Sequence, residues 1–89
     1  MPVVMLFCAG NQYTVDKGKL VELHGVPRVE EKISVTGTKG RMILAVKDVV
    51  WEVGGSVVIM LERTGWAATS IGDVVLDECG WGTVGAAAT

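Results

Sequence analysis

Three side chains are candidates for a nucleophile or a metal centre: Cys8, Cys79 and the only histidine, His24. A cysteine becomes a nucleophile when a base such as histidine takes its proton, so either thiol would need His24 beside it. The sequence gives no sign of that pairing. Cys8 runs into Ala9-Gly10, no GxSxG elbow occurs, and His24 next to Gly25 reads as a turn residue, solvated or bonded to backbone. The same three residues have the right chemistry for zinc, but no CxxC or HxxxH pair is present and a closed site normally takes four ligands. No catalytic, metal or cofactor-binding residue is therefore assigned. The cysteines read as two reduced, buried thiols. A disulfide joining the first and last strands would need their Cα atoms within about 7 Å.

Gly37-Thr38-Lys39-Gly40-Arg41 resembles a phosphate loop only in part, since a P-loop continues Gly-Lys-Ser/Thr into a helix and here a strand is expected. It reads as an exposed basic hairpin tip, with Lys39 and Arg41 placed to orient an acidic partner surface. Asp73, Asp77 and Glu78 could supply an acid and a base, but acids flanking an apolar strand end more often solubilise it or guard its edge. The three tryptophans differ in context. Trp51 lies within a strand and reads as core, whereas Trp66 and Trp81 follow glycines at turns, where a ring anchors either a corner or a partner's groove. Trp66, Trp81, Val84, Met60, Lys39 and Arg41 are the candidate interface residues.

The elements that must position these residues are short. Of the 89 residues 49% are apolar and 20% charged, more apolar surface than a chain of this length easily hides, because small domains keep a high ratio of surface to interior. Some of it is expected to meet another chain. A net charge of −2 and a pI near 5.2 disfavour generic nucleic-acid binding, which calls for a basic stripe. The opening VVMLFCAG lacks a basic segment before it and runs directly into Asn11-Gln12, so it reads as a buried strand, neither a signal peptide nor a membrane span. That reading puts the protein in the cytoplasm of the producing cell or in a virion.

Glycines and charged pairs punctuate runs of Val, Ile, Leu and Thr, an all-β pattern. Val3 to Ala9 is expected to return at Gly10-Asn11 through Tyr13 to Val15, with a further turn at residues 16–19 and a change of direction at His24-Gly25-Val26-Pro27. A hairpin at residues 37–40 sets Val35 opposite Met42, Ile33 opposite Leu44 and Glu30 opposite Lys47. A two-residue loop at Gly54-Gly55 sets Trp51 opposite Val58, Val49 opposite Met60, Val50 opposite Ile59 and Lys47 opposite Glu62, leaving both faces of that hairpin apolar. LERTGWA at 61–67 recurs as LDECGWG at 76–82, and both copies read as a strand followed by a turn. The one helix allowed for is a short piece within 64–72, at Ala67-Ala68.

The expected fold is thus all-β: a small antiparallel meander forming a partly open barrel or sandwich of seven to eight strands. A single domain covers 1–80, and 81–89 form a C-terminal tail or arm. Fixing the ten residues GWGTVGAAAT costs on the order of 10–20 kcal/mol, while burying Trp81 and Val84 returns about 5 kcal/mol, so an ordered tail implies an added strand or an arm on this or a neighbouring chain. Function is expected to be non-enzymatic: a structural or interaction subunit of a larger assembly, homo-oligomeric, of the kind that decorates or cements a virus or phage capsid. That last step is an analogy of class, carried by no motif. The alternative is a small β-barrel module holding a ligand or single-stranded nucleic acid on Trp66, Tyr13 and the Lys39/Arg41 tip.

Overall fold

The computed structural model describes residues 3–83. Over them the chain runs through β1 (Val3–Cys8), β2 (Lys17–Glu22), β3 (Lys32–Gly37), β4 (Gly40–Trp51), β5 (Val57–Glu62), a 3-10 helix (Gly65–Ala68), α1 (Ser70–Glu78) and the two-residue β6 (Gly82–Thr83). The strands form one sheet, in the order β3-β4-β5-β1-β2-β6, curled into a half-barrel. A mostly-β, partly open barrel is what the sequence implies. Six strands replace the expected seven to eight, however, and the meander is broken, because β1 lies parallel to β5, with Met5 opposite Val58 and Cys8 opposite Leu61. Both are near-continuous apolar runs, VVMLFC and VVIMLE, of the kind suited to the middle of a sheet.

Paired residues share a face, so the registers define two sides. On the concave side Val4, Leu6 and Cys8 of β1, Met42, Leu44 and Val46 of β4, and Val57, Ile59 and Leu61 of β5 are buried together with Val75 and Leu76 of α1, Ala67 and Trp81. The helix is the main correction to the all-β expectation, since Val74-Val75-Leu76 had strand character by analogy with residues 59–61. Helical spacing wins there. Gly72, Val75 and Leu76 form its buried stripe, the Thr69 hydroxyl caps it by accepting from Ile71 N, and Asp73 sits in the first turn, where the positive end of the helix dipole favours an acid. The two echoing segments therefore end differently, one as strand and 3-10 helix, the other as helix and turn.

Two loops also differ from expectation. The chain does return antiparallel after β1, but the turn spans residues 9–16, and Lys17–Gly18, expected in a turn, begin β2 with Cys8 opposite Lys17. Local side chains shape that loop. Asp16 Oδ1 accepts from Gly10 N at 2.6 Å, Asn11 Oδ1 from Tyr13 N at 2.7 Å and Thr14 Oγ1 from Asn11 N at 2.9 Å. At the β4–β5 turn Glu52 N donates to Ser56 O at 2.8 Å, which makes the loop three residues, 53–55, with Gly54 and Gly55 at positive φ. The register is then one residue away from a two-residue loop: Trp51 faces Val57, Val50 faces Val58 and Val49 faces Ile59. Trp51, expected in the core, sits at the open end of the hairpin, 67% exposed. A bulge at Lys47 shifts the register again, to Val46 opposite Leu61. The β3–β4 hairpin follows expectation, with Val35 opposite Met42 and Ile33 opposite Leu44, but the ladder ends at Lys32, because Glu30 takes a left-handed φ of 78°.

Candidate functional site

The surface that stands out is the convex side of the sheet. Alternation along each strand puts Met5 and Phe7 there from β1, Leu20 from β2, Val50 from β4, and Val58 and Met60 from β5, and the registers line them up in rows. One row reads Val50, Val58, Met5, Leu20 across four strands; the next reads Asp48, Met60, Phe7, Gly18. Val3 and Ile43 extend the patch. Leu20 is 65% and Val3 53% exposed, and none of these residues belongs to the core cluster. The helices lie on the other side, α1 against β3 and β4. A depression of about 520 Å³ lies over Val3, Met5, Leu20 and Val58 beside the 53–55 turn.

Polar contacts hold the scaffold behind this face. The buried guanidinium of Arg63 donates to Asp73 Oδ1 and to Val15 O, both at 2.6 Å, joining the end of β5 to α1 and to the 9–16 loop. Lys17, also buried, places Nζ 2.5 Å from Asp77 Oδ1 and 3.1 Å from Thr83 Oγ1. Glu78 Oε2 accepts from the Thr38 hydroxyl at 2.6 Å and amide at 3.0 Å, and these bonds hold the Glu78 carboxyl below its ordinary pKa. Burial pushes the Cys8 thiol up to about 11, only partly offset by the charge and hydrogen bonding of Arg63. The acids Asp73, Asp77 and Glu78 are thus each engaged with a named partner rather than with one another.

The chemistry-bearing residues lie apart. His24 is exposed beyond the Val3 end of the β1–β2 pair, whereas Cys8 is buried at the opposite end, a strand length away of about 20 Å. Cys79, at the C-terminus of α1, directs Sγ to Thr36 O at 3.3 Å, and both cysteines are free thiols. Among the described residues no group of three His, Cys, Asp or Glu is arranged to hold a metal. A concavity of about 510 Å³ at the carboxyl ends of β1 and β5 contains Asn11, Lys47, Glu62 and Arg63, but Lys47 and Glu62 pair at 3.5 Å and Arg63 is committed to Asp73 and Val15.

The expected interface residues fall in three places. Met60 is on the convex face. Lys39, Arg41 and Trp66 are at one end of the molecule: a Cβ placed on Gly40 would lie 3.9 Å from the Trp66 ring, so the ring stands against the β3–β4 tip. Asn11 Nδ2 donates to Ala68 O at 3.1 Å, which draws the loop of Tyr13 to the same 3-10 helix; Trp66 is 40% and Tyr13 73% exposed. Trp81 is a correction, 5% exposed and part of the core, with its amide donating to Leu76 O at 3.0 Å. With Gly82–Thr83 pairing to β2, the packed unit extends past residue 80 to Thr83 at least. Val84 and the remainder of the expected arm lie outside the described residues. Sequence reasoning missed Met5, Phe7 and Leu20. The unbroken VVMLFC run was the available signal, but a run apolar at every position cannot say that one of its faces stays open.

The chain matches no protein-family model, and comparison with curated proteins and with solved structures gives no match.

Proposed function

We propose that the protein is a non-enzymatic structural subunit that works by assembling with other protein chains, in the first place with copies of itself. The observation that carries this reading is the open apolar face of Met5, Phe7, Leu20, Val50, Val58 and Met60 on a chain whose opposite face already has a complete core. A patch of that kind, on so small a domain, is an interaction surface or an aggregation liability. An accessory subunit of a particle, such as a capsid decoration or cement protein, is the class of role such a unit suits. Light scattering on a sizing column across a range of concentrations tests it: a defined oligomer supports the reading, and a monomer at every concentration removes self-assembly from it.

A second reading draws on a different region. The Trp66 ring stands against Gly40 of the hairpin whose tip carries Lys39 and Arg41, and Asn11 ties the loop of Tyr13 to the 3-10 helix, so rings and cations at this end of the molecule could serve stacking on single-stranded nucleic acid or a flat ligand. Tryptophan fluorescence titrated with a short oligonucleotide at low salt decides it. Quenching that Trp66→Ala abolishes supports the module; an unchanged spectrum rejects it.

A further inference from the structure

We propose that the half-barrel holds a small apolar carboxylate in the groove between β2 and β3, with Lys19 as the residue that takes the carboxylate group. The site lies on the concave side of the sheet and does not depend on the assembly reading.

The sheet order leaves β2 and β3 unpaired with each other. Curling brings them to face one another across a groove of about 250 Å³, with Leu6, Val21, Ile33, Val35 and Trp81 as its apolar lining. Leu6, Val35 and Trp81 belong to the core and Val21 and Ile33 pack partly buried against it, so the groove reaches the core from outside. Cys79 bridges the two walls: its carbonyl accepts from Lys19 Nζ at 2.6 Å, and its Sγ donates to Thr36 O at 3.3 Å.

Lys19 marks this groove as a place for an anion. It lies opposite Leu6 in the register, which turns it to the inner face of β2 together with Lys17 and Val21, and it is half-buried there. Lysine is seldom taken into an apolar interior without a partner. Lys17 has one, Asp77 at 2.5 Å, but none of the three ion pairs among the described residues includes Lys19. Glu78, next to the carbonyl that Lys19 binds, is engaged with Thr38. That carbonyl ends α1, and a helix C-terminus carries roughly half a negative charge, so it offsets part of the ammonium and occupies one of its three donors. The rest of the charge stands at an apolar groove. An ion without an apolar body would leave the groove wet, and a neutral apolar molecule would cover the ammonium without balancing it. A carboxylate on an apolar body meets both needs, with oxygen on Lys19 Nζ and the body against Val21, Ile33 and Trp81. The groove is smaller than pockets for drug-sized ligands, which run about 300–1,000 Å³, and this limits the body to a short chain or one ring.

Octanoate is the probe and 1-octanol its uncharged counterpart, each titrated into the isotope-labelled full chain and followed by amide chemical shifts. Octanoate should shift the amides of Lys19, Val21, Ser34 and Trp81 to saturation and bind about tenfold more tightly than octanol. Raising salt should narrow that gap in the natural sequence, a check that needs no variant to fold. Lys19→Met keeps the aliphatic stem and removes the charge; it should bring octanoate down to the affinity of octanol and leave octanol unchanged, whereas Lys19→Arg should retain the preference. Equal affinity for the two probes, or a preference for octanoate that survives Lys19→Met, overturns the proposal. So does the absence of saturable shifts, as when another part of the chain or a second copy already fills the groove, and so do shifts confined to Met5 and Leu20 on the convex face.

Discussion

Gly72 shows how one residue's surroundings reverse a general preference. Alanine is favoured over glycine inside a helix by about 1 kcal/mol, yet a Cβ at Gly72 would lie 2.0 Å from Ala67 O. Helix α1 crosses the preceding 3-10 helix at that point, and backbone cannot give way as a side chain can. Gly72→Ala is therefore expected to lower stability by about 2 kcal/mol, read as a fall in Tm; a rise would mean that the two helices do not touch there. Cys8 gives a second residue-scale prediction. Its pKa is raised from an ordinary 9.0 to about 11 in the fold, so the native state keeps the proton that the unfolded chain loses. The contribution to stability is complete below pH 9 and disappears as pH climbs towards 11, a loss on the order of 2 kcal/mol. Urea melts from pH 8 to 11 should show that decline, and Cys8→Ala should flatten it. Under native conditions Cys79 should react with an alkylating reagent well before Cys8.

At the scale of elements, Arg63 is the joint that the fold turns on. It is on the buried side of β5 by strict alternation, two residues after Leu61, and its guanidinium reaches α1 through Asp73 and the 9–16 loop through Val15 O. A buried ion pair contributes little beyond an apolar replacement of the same shape, but removing one partner strands the other. Arg63→Ala is expected to cost about 3–5 kcal/mol and Asp73→Ala a similar amount, with the double variant well short of the sum, as chemical denaturation of the four proteins would show. Arg63→Met should recover much of the loss in Asp73→Ala. Full additivity would mean that the two side chains act independently. The bulge at Lys47 works on the same scale: the three-residue turn at 53–55 offsets the register of β4 and β5 by one, and the bulge lets Met42, Leu44 and Val46 stay in phase with the core while Val50 faces outwards.

For the whole molecule the decisive property is that one curled sheet has two apolar sides and, among the described residues, only one of them is covered. α1, the 3-10 helix and Trp81 fill the concave side, and the convex side keeps its rows of Val, Met, Phe and Leu. If copies cover that side, stability is linked to concentration by mass action. Tm should rise by several degrees between about 5 and 500 μM in the natural sequence and stay constant in Leu20→Glu. A Tm independent of concentration in both proteins would leave the face uncovered by its own kind.

Much of this was legible in the amino acids alone. The pattern of short apolar runs between glycines determined a mostly-β chain, and Gly37 to Gly40 determined the β3–β4 hairpin and its register. Candidate residues on the outer end, Trp66, Lys39 and Arg41, stood out because turns expose what they carry. Other features depended on contacts that no local pattern encodes. Val74-Val75-Leu76 suits a strand or a helix equally, and became helix because Thr69 caps it and the concave sheet accepts Val75 and Leu76. The one-residue difference at 53–55 reversed the environment of Trp51, since a period of two makes any slip a change of face. Trp66 and Trp81 each follow a glycine, yet one is 40% exposed and the other buried. Which side of β1 and β5 stays open was settled only when α1 packed against the other, because a run apolar at every position marks a strand as buried without distinguishing its two faces.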